Sequence, residues 1–148
     1  MPLVVEKLEN GTVIDHIPAG LGLKVLEILK IDRNYGARVA LMMNVPSKKI
    51  GKKDIVKVEG KTLDDKAVNK IALIAPNATL NIIKNSEVVE KKIVQLPKEL
   101  HGVSKCPNPQ CITNFEPIET IFKMENHAET KYRCFFCEMA FEARELLL

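Results

Sequence analysis

An α+β chain in two parts is what this sequence predicts, and three observations predict it. Across residues 1–97, β-branched runs alternate with two amphipathic helical runs in the order β, β-α-β-β-α-β, β. All four cysteines come later, between Cys106 and Cys137. The part that carries them, 98–148, is too short to rely on apolar burial alone. The inner six elements of the first part have the order of a ferredoxin-like βαββαβ sandwich, in which two helices cover one face of an antiparallel sheet. The second part reads as a small, mainly β zinc-binding domain.

Residues 3–8 form a first extended segment, and residues 12–17 are a short β-branched strand stopped by Pro18. Residues 20–31 place Leu21, Val25, Ile28 and Leu29 on one helical face. After a turn at 32–36, residues 37–45 return as a strand, and 46–53 make a basic loop. In that loop Lys48, Lys49, Lys52 and Lys53 are expected to be solvated rather than to hold phosphate, since lysines also protect sheet edges. A strand at 54–59 follows. Asp64 then caps a helix whose face holds Ala67, Val68, Ile71 and Ile74, and Pro76 ends it. Residues 78–84 and 87–95 are strands joined by a turn at Asn85-Ser86. Met42 and Met43 are expected to pack in a core or interface.

The cysteines read Cys106-x₄-Cys111, then twenty-two residues, then Cys134-x₂-Cys137. Each pair offers two thiolates from one tight turn, and the insert lets the turns face each other. Four sulfurs favour a closed, structural Zn²⁺ site, one per chain, because a catalytic zinc keeps a position for water. Two disulfides are the plainer alternative. They fit poorly, since Met1–Val5 meets Glu6 and Lys7 at once, no secretory leader is expected, and a cytoplasmic chain rarely keeps disulfides. A rubredoxin-type iron centre shares the geometry and is the chemical competitor. Val103, Ile118, Ile121, Phe135 and Phe141 are expected to pack around the metal. His101 and His127 are expected to be solvated loop residues.

No run of eighteen apolar residues exists, so no membrane span is expected. The net charge of +3 is unevenly spread: residues 1–100 hold 17 Lys/Arg against 12 Asp/Glu, and 101–148 hold 5 against 7. A basic first part suits an anionic ligand, while the acidic second part argues against a nucleic-acid-binding zinc ribbon. RNA readers with ferredoxin-like sheets stack bases on aromatics, yet Tyr35, in a turn, is the sole aromatic of residues 1–100. An acylphosphatase-like enzyme would need a phosphate-cradling loop arginine, and Arg33 and Arg38 do not lie in one. With the cysteines committed to metal, no nucleophile–base pair stands out, and no Gly-rich phosphate loop occurs.

In order, Gly11-Thr-Val-Ile-Asp-His-Ile-Pro-Ala19, Asn44-Val-Pro-Ser47, Gly51-Lys-Lys-Asp54, Ala75-Pro-Asn-Ala-Thr79 and the cysteine spacing resemble the regulatory chain of aspartate carbamoyltransferase from end to end. The resemblance implies a non-catalytic subunit of pyrimidine biosynthesis. Residues 1–97 would form a dimerising domain that binds ATP or CTP as allosteric effectors, and 98–148 a four-cysteine zinc domain docking onto the catalytic chain. It further implies Asp15 and His16 as ribose and phosphate contacts and Lys57 as a reach to base and ribose. Asn81 and Ile83 would line base and sugar, Val88 would be an apolar wall, and Lys91 the main triphosphate lysine. Val5, Glu6 and Leu8 would offer backbone groups to the base. Ser86 stands where bacterial members often carry an aromatic. Extended segments 3–8 and 37–45 would build the dimer sheet.

Lysine binds phosphate as a point charge, and histidine adds a donor that titrates near neutrality, so these residue types suit the ligand. Strand alternation sends Asp15 and His16 to opposite faces, so both reach one ligand only at the strand's end beside Pro18.

Overall fold

The computed structural model describes residues 9–147 apart from His127 and Glu129, so the expected segment 3–8, with Val5, Glu6 and Leu8, lies outside the described residues, as does His127. Strands β1 (Gly11–Pro18), β2 (Val39–Ser47), β3 (Gly51–Glu59), β4 (Thr79–Lys84) and β5 (Glu87–Ile93) form one sheet in the order β2-β3-β1-β4-β5. Every pairing is antiparallel. Helices α1 (Gly22–Ile28) and α2 (Asp65–Ile74) cross between them. Without β5, the order is that of the expected ferredoxin-like sandwich. Ile14, Ile17, Val25, Val56, Val58, Ile71 and Leu80 form its core, between sheet and helices. Among the described residues, no helix is long and apolar enough to cross a membrane.

Local chemistry sets the ends of these elements. Asp64 caps α2, its Oδ1 accepting the Ala67 N–H at 2.8 Å. Asn85 and Ser86, with φ of 52° and 65°, make the two-residue turn that matches strand twist. Helix α1 is shorter than the twelve-residue span expected at 20–31. A buried carboxylate fixes its start: Asp54 Oδ2 accepts the Gly20 and Gly22 N–H groups at 3.0 and 2.8 Å, and Oδ1 accepts that of Asn44 at 3.0 Å. A Cβ at Gly22 would stand 2.5 Å from Leu41 Cδ1 and 2.9 Å from that carboxylate oxygen, so only glycine lets the helix start this close.

The expected basic loop 46–53 is corrected. Strands β2 and β3 pair through Ser47↔Gly51, so Lys52 and Lys53 belong to a strand. Pro46 is tolerated because β2 is an edge. Met42 is half-buried and Met43 exposed.

The C-terminal sheet has the order β6-β7-β8-β9, with β6 (Glu99–His101), β7 (Ile121–Asn126), β8 (Lys131–Cys134) and β9 (Ala140–Glu142). His101 is thus a strand residue, hydrogen-bonded to Glu99 Oε2 at 2.9 Å, rather than a loop residue. Of the side chains expected around the metal, Val103 and Phe141 are buried and Ile121 half-buried. Phe135, at 55%, and Ile118, at 37%, are exposed. Leu100, Phe122, Tyr132 and Leu146 fill that core instead. Leu73 of α2 also enters it, while Leu96 and Leu147 touch both cores. Burial pushes the Tyr132 phenol up to about 12, and its OH donates to Pro97 O at 2.6 Å.

Candidate metal centre and ligand-binding sheet face

Two turns converge to make the cysteine cluster. In the first, the Cys111 N–H donates to Asn108 O at 3.1 Å, and Asn114 Nδ2 donates to Cys106 O and Asn108 O at 3.1 and 2.8 Å. That amide ties the start and the middle of the loop to the short helical turn that follows it. In the second, β8 ends at Cys134, whose N–H donates to Met139 O at 2.9 Å and whose O accepts from the Glu138 N–H at 3.0 Å. Glu138, with φ of 62°, turns the chain back after Cys137 so that Met139 meets Cys134.

The four Sγ atoms lie within 4.8 Å of one another. Each short edge joins one turn to the other: Cys106 to Cys137 at 3.7 Å and Cys111 to Cys134 at 3.8 Å. Metal–sulfur bonds of about 2.3 Å around a tetrahedron require sulfur–sulfur edges of about 3.8 Å, whereas a disulfide requires about 2.05 Å. All four are free thiols, three of them buried, and the two shortest edges match the tetrahedral spacing. Burial pushes the Cys106 and Cys134 thiols up. It opposes ionisation of Cys137 too, but hydrogen bonds from the Asn108 side chain and the Met139 backbone outweigh it and lower that thiol below its ordinary value. Thr113 Oγ1 sits 3.1 Å from Cys111 Sγ. Four converging sulfurs, none tied up in a disulfide, form a donor set that a thiophilic cation satisfies, so these residues fit a structural metal ion.

The second candidate site lies on the sheet face turned away from the helices. Lys57 pairs with Val13, Val13 with Asn81, and Asn81 with Lys91, so Lys57, Asn81 and Lys91 occupy one cross-strand row. Three inter-strand gaps make that row about 14 Å wide. Asp15 and Thr79 pair in the next row toward Pro18, and Gly11, Ile83 and Val88 align on the other side. Ile83 is buried and Val88 exposed. Neither Lys57 nor Lys91 forms an ion pair among the described residues.

The expectation that Asp15 and His16 point oppositely is corrected by a bulge. His16 has φ of 60°, and the pairing with β3 shifts register between Ile14 and Ile17. Alternation therefore breaks: His16 Nδ1 shares a hydrogen bond with Thr79 Oγ1 at 2.7 Å, and Thr79 is the residue paired with Asp15. His16 thus reaches the residue that stands across from Asp15. The Asp15 carboxylate accepts the His16 N–H at 2.6 Å and forms an ion pair with Lys53 Nζ at 3.0 Å. Sequence reasoning misses Lys53 and Thr79 as neighbours of this face. The signal for Lys53 is the alternation in Gly51-Lys-Lys-Asp54: once Asp54 is inside, Lys53 faces the same way as Lys57. Thr79 has no comparable signal.

A family model described as aspartate carbamoyltransferase regulatory chain, allosteric domain, matches residues 3–95, and one described as the metal binding domain of the same chain matches 98–147. Among curated relatives, the aspartate carbamoyltransferase regulatory chain of Pyrococcus horikoshii is 55% identical over 146 residues, covering 98% of this chain and 96% of the relative. That of Thermococcus kodakarensis is 49% identical, covering 97% and 95%. That of Saccharolobus solfataricus is 54% identical, covering 93% and 87%.

Proposed function

The chain belongs to the aspartate carbamoyltransferase regulatory-chain family, and from that premise we propose that it senses ATP and CTP on the outer sheet face and transmits their binding to the catalytic chain through a zinc domain. As a regulatory chain it is a non-catalytic subunit with an allosteric and a metal-binding domain, serving pyrimidine biosynthesis. The observation that carries the effector reading is the cross-strand row of Lys57, Asn81 and Lys91. Its width of about 14 Å suits an extended nucleoside triphosphate. Lys91 would meet the phosphates, and His16 would add a phosphate donor. Asp15 would accept from ribose hydroxyls. Lys57 and Asn81 would reach base and sugar, with Ile83 and Val88 as apolar walls and the backbone of Val5, Glu6 and Leu8 against the base.

Zinc is the ion that the four-sulfur set suits best, being stable in a closed tetrathiolate without redox chemistry. Exposed apolar side chains next to the ligands support docking of a partner there: Ile112 follows Cys111, Phe135 follows Cys134, Met139 lies two beyond Cys137, and Phe115 is 73% exposed. A bound metal would order these side chains into one apolar patch, and the catalytic chain would cover it. Edge strand β2 supports a homodimer through residues 1–97, leaving 98–148 for docking. Coupling between the two parts would run through Leu73, Leu96 and Leu147, which join the cores. Coupling of about 1–3 kcal/mol would suffice for an effector response in a cytoplasmic holoenzyme. The test is to assemble the chain with its catalytic partner and record aspartate saturation with and without CTP or ATP. Curves unchanged at saturating nucleotide would reject the effector role.

A further inference from the structure

On the helical layer, the end of α1 and the start of α2 frame a cavity of about 370 Å³, within the range of about 300–1,000 Å³ that small-molecule sites occupy. Four lysines line it: Lys30 beyond the end of α1, Lys61 after β3, and Lys66 and Lys70 on α2. None forms an ion pair among the described residues. The single carboxylate in the lining is Asp64, whose Oδ1 is engaged by the Ala67 N–H. Lys66 and Lys70 are an i,i+4 pair of like charges, an arrangement that disfavours a helix.

A lysine-rich helix face is ordinarily a solvated surface, but solvation does not require a concavity. Here Leu29, Leu63 and Ala67 give the cavity an apolar floor, which lowers the local dielectric and strengthens attraction for an anion. The α2 cap satisfies the Ala67 N–H alone, so the Asp65 and Lys66 N–H groups at the helix start have no intrahelical acceptor. Four cations against one engaged carboxylate exceed what a monovalent anion would neutralise, whereas a chain of phosphates carries matching charge.

We propose that this cavity is a second anion site, taking the oligophosphate group of a small molecule on the layer opposite the effector face. It does not depend on the sheet-face reading, since no residue is shared between the two.

The test uses the full, metal-loaded chain titrated with inorganic tripolyphosphate and followed by calorimetry and amide chemical shifts. Shifts are expected at residues 61–70, and the double variant Lys66→Gln/Lys70→Gln should weaken the associated binding at least tenfold while CTP affinity stays unchanged. Lys30→Gln, beyond the end of α1, gives a second readout that leaves α2 intact, with a several-fold loss expected. Absence of shifts at 61–70, or equal tripolyphosphate affinity in wild type and the double variant, overturns the proposal. Binding lost with Lys91→Ala alone would place all of it on the sheet face and overturn it as well.

Discussion

Removing the metal is the perturbation that tests the two-part construction most directly. A domain of ordinary stability contributes about 0.05–0.15 kcal/mol per residue, or roughly 3–8 kcal/mol for the C-terminal part. Structural metal binding contributes about 10–16 kcal/mol in comparable small peptides, so its loss exceeds that whole margin. Chelation should therefore unfold the C-terminal sheet while the N-terminal core, which contains no cysteine, persists. The chain's two tyrosines report the halves separately: Tyr35 in the first and Tyr132 in the second. Tyr132 is fully buried, and burial pushes its phenol up to about 12 from the ordinary 10.0 by disfavouring the phenolate. A raised folded pKa stabilises the fold below the unfolded value, and that stability is lost as pH rises through the folded one. Phenolate absorbance against pH should thus show a high-pH step in the loaded chain that falls to about 10 on chelation. If Tyr132 kept its high titration after elemental analysis showed complete metal removal, the metal would not be what holds this domain together.

Asp54→Ala should cost about 3–5 kcal/mol in urea unfolding, because three backbone N–H groups lose a buried charged acceptor. Lys91→Ala should weaken CTP binding roughly 10- to 100-fold by calorimetry with the urea midpoint unchanged, the loss expected for one charge-assisted contact of about 1.5–3 kcal/mol. Leu73→Ala leaves a hole where α2 meets the C-terminal core and should cost about 2–5 kcal/mol. In the holoenzyme it should reduce the nucleotide response more than nucleotide affinity, and an undiminished response would remove Leu73 from the coupling path.

Local patterns made much of this legible. The apolar face of Ala67, Val68, Ile71 and Ile74, the Asp64 cap and the Asn85-Ser86 turn each depend on residues a few positions apart, and each is present. The helix expected at 20–31 runs too long at both ends: Asp54, more than thirty residues away, sets its start, and Lys30, with φ of 58°, turns the chain beyond its end. Phe135 and Ile118 have the chemistry of core residues. In the fold they are exposed, since Leu73 and Leu100 arrive from outside the cysteine region to fill that space.

From sequence alone came the family, the element order and the four sulfurs, because spacing within a chain segment limits what a turn can bring together. Tertiary structure decided the rest: that Lys57, Asn81 and Lys91 share one row, that a bulge turns His16 toward Thr79, and that Lys53 meets Asp15. Those relations join residues far apart along the chain. Strand register and buried hydrogen bonds set them, and no periodicity within a single strand encodes either.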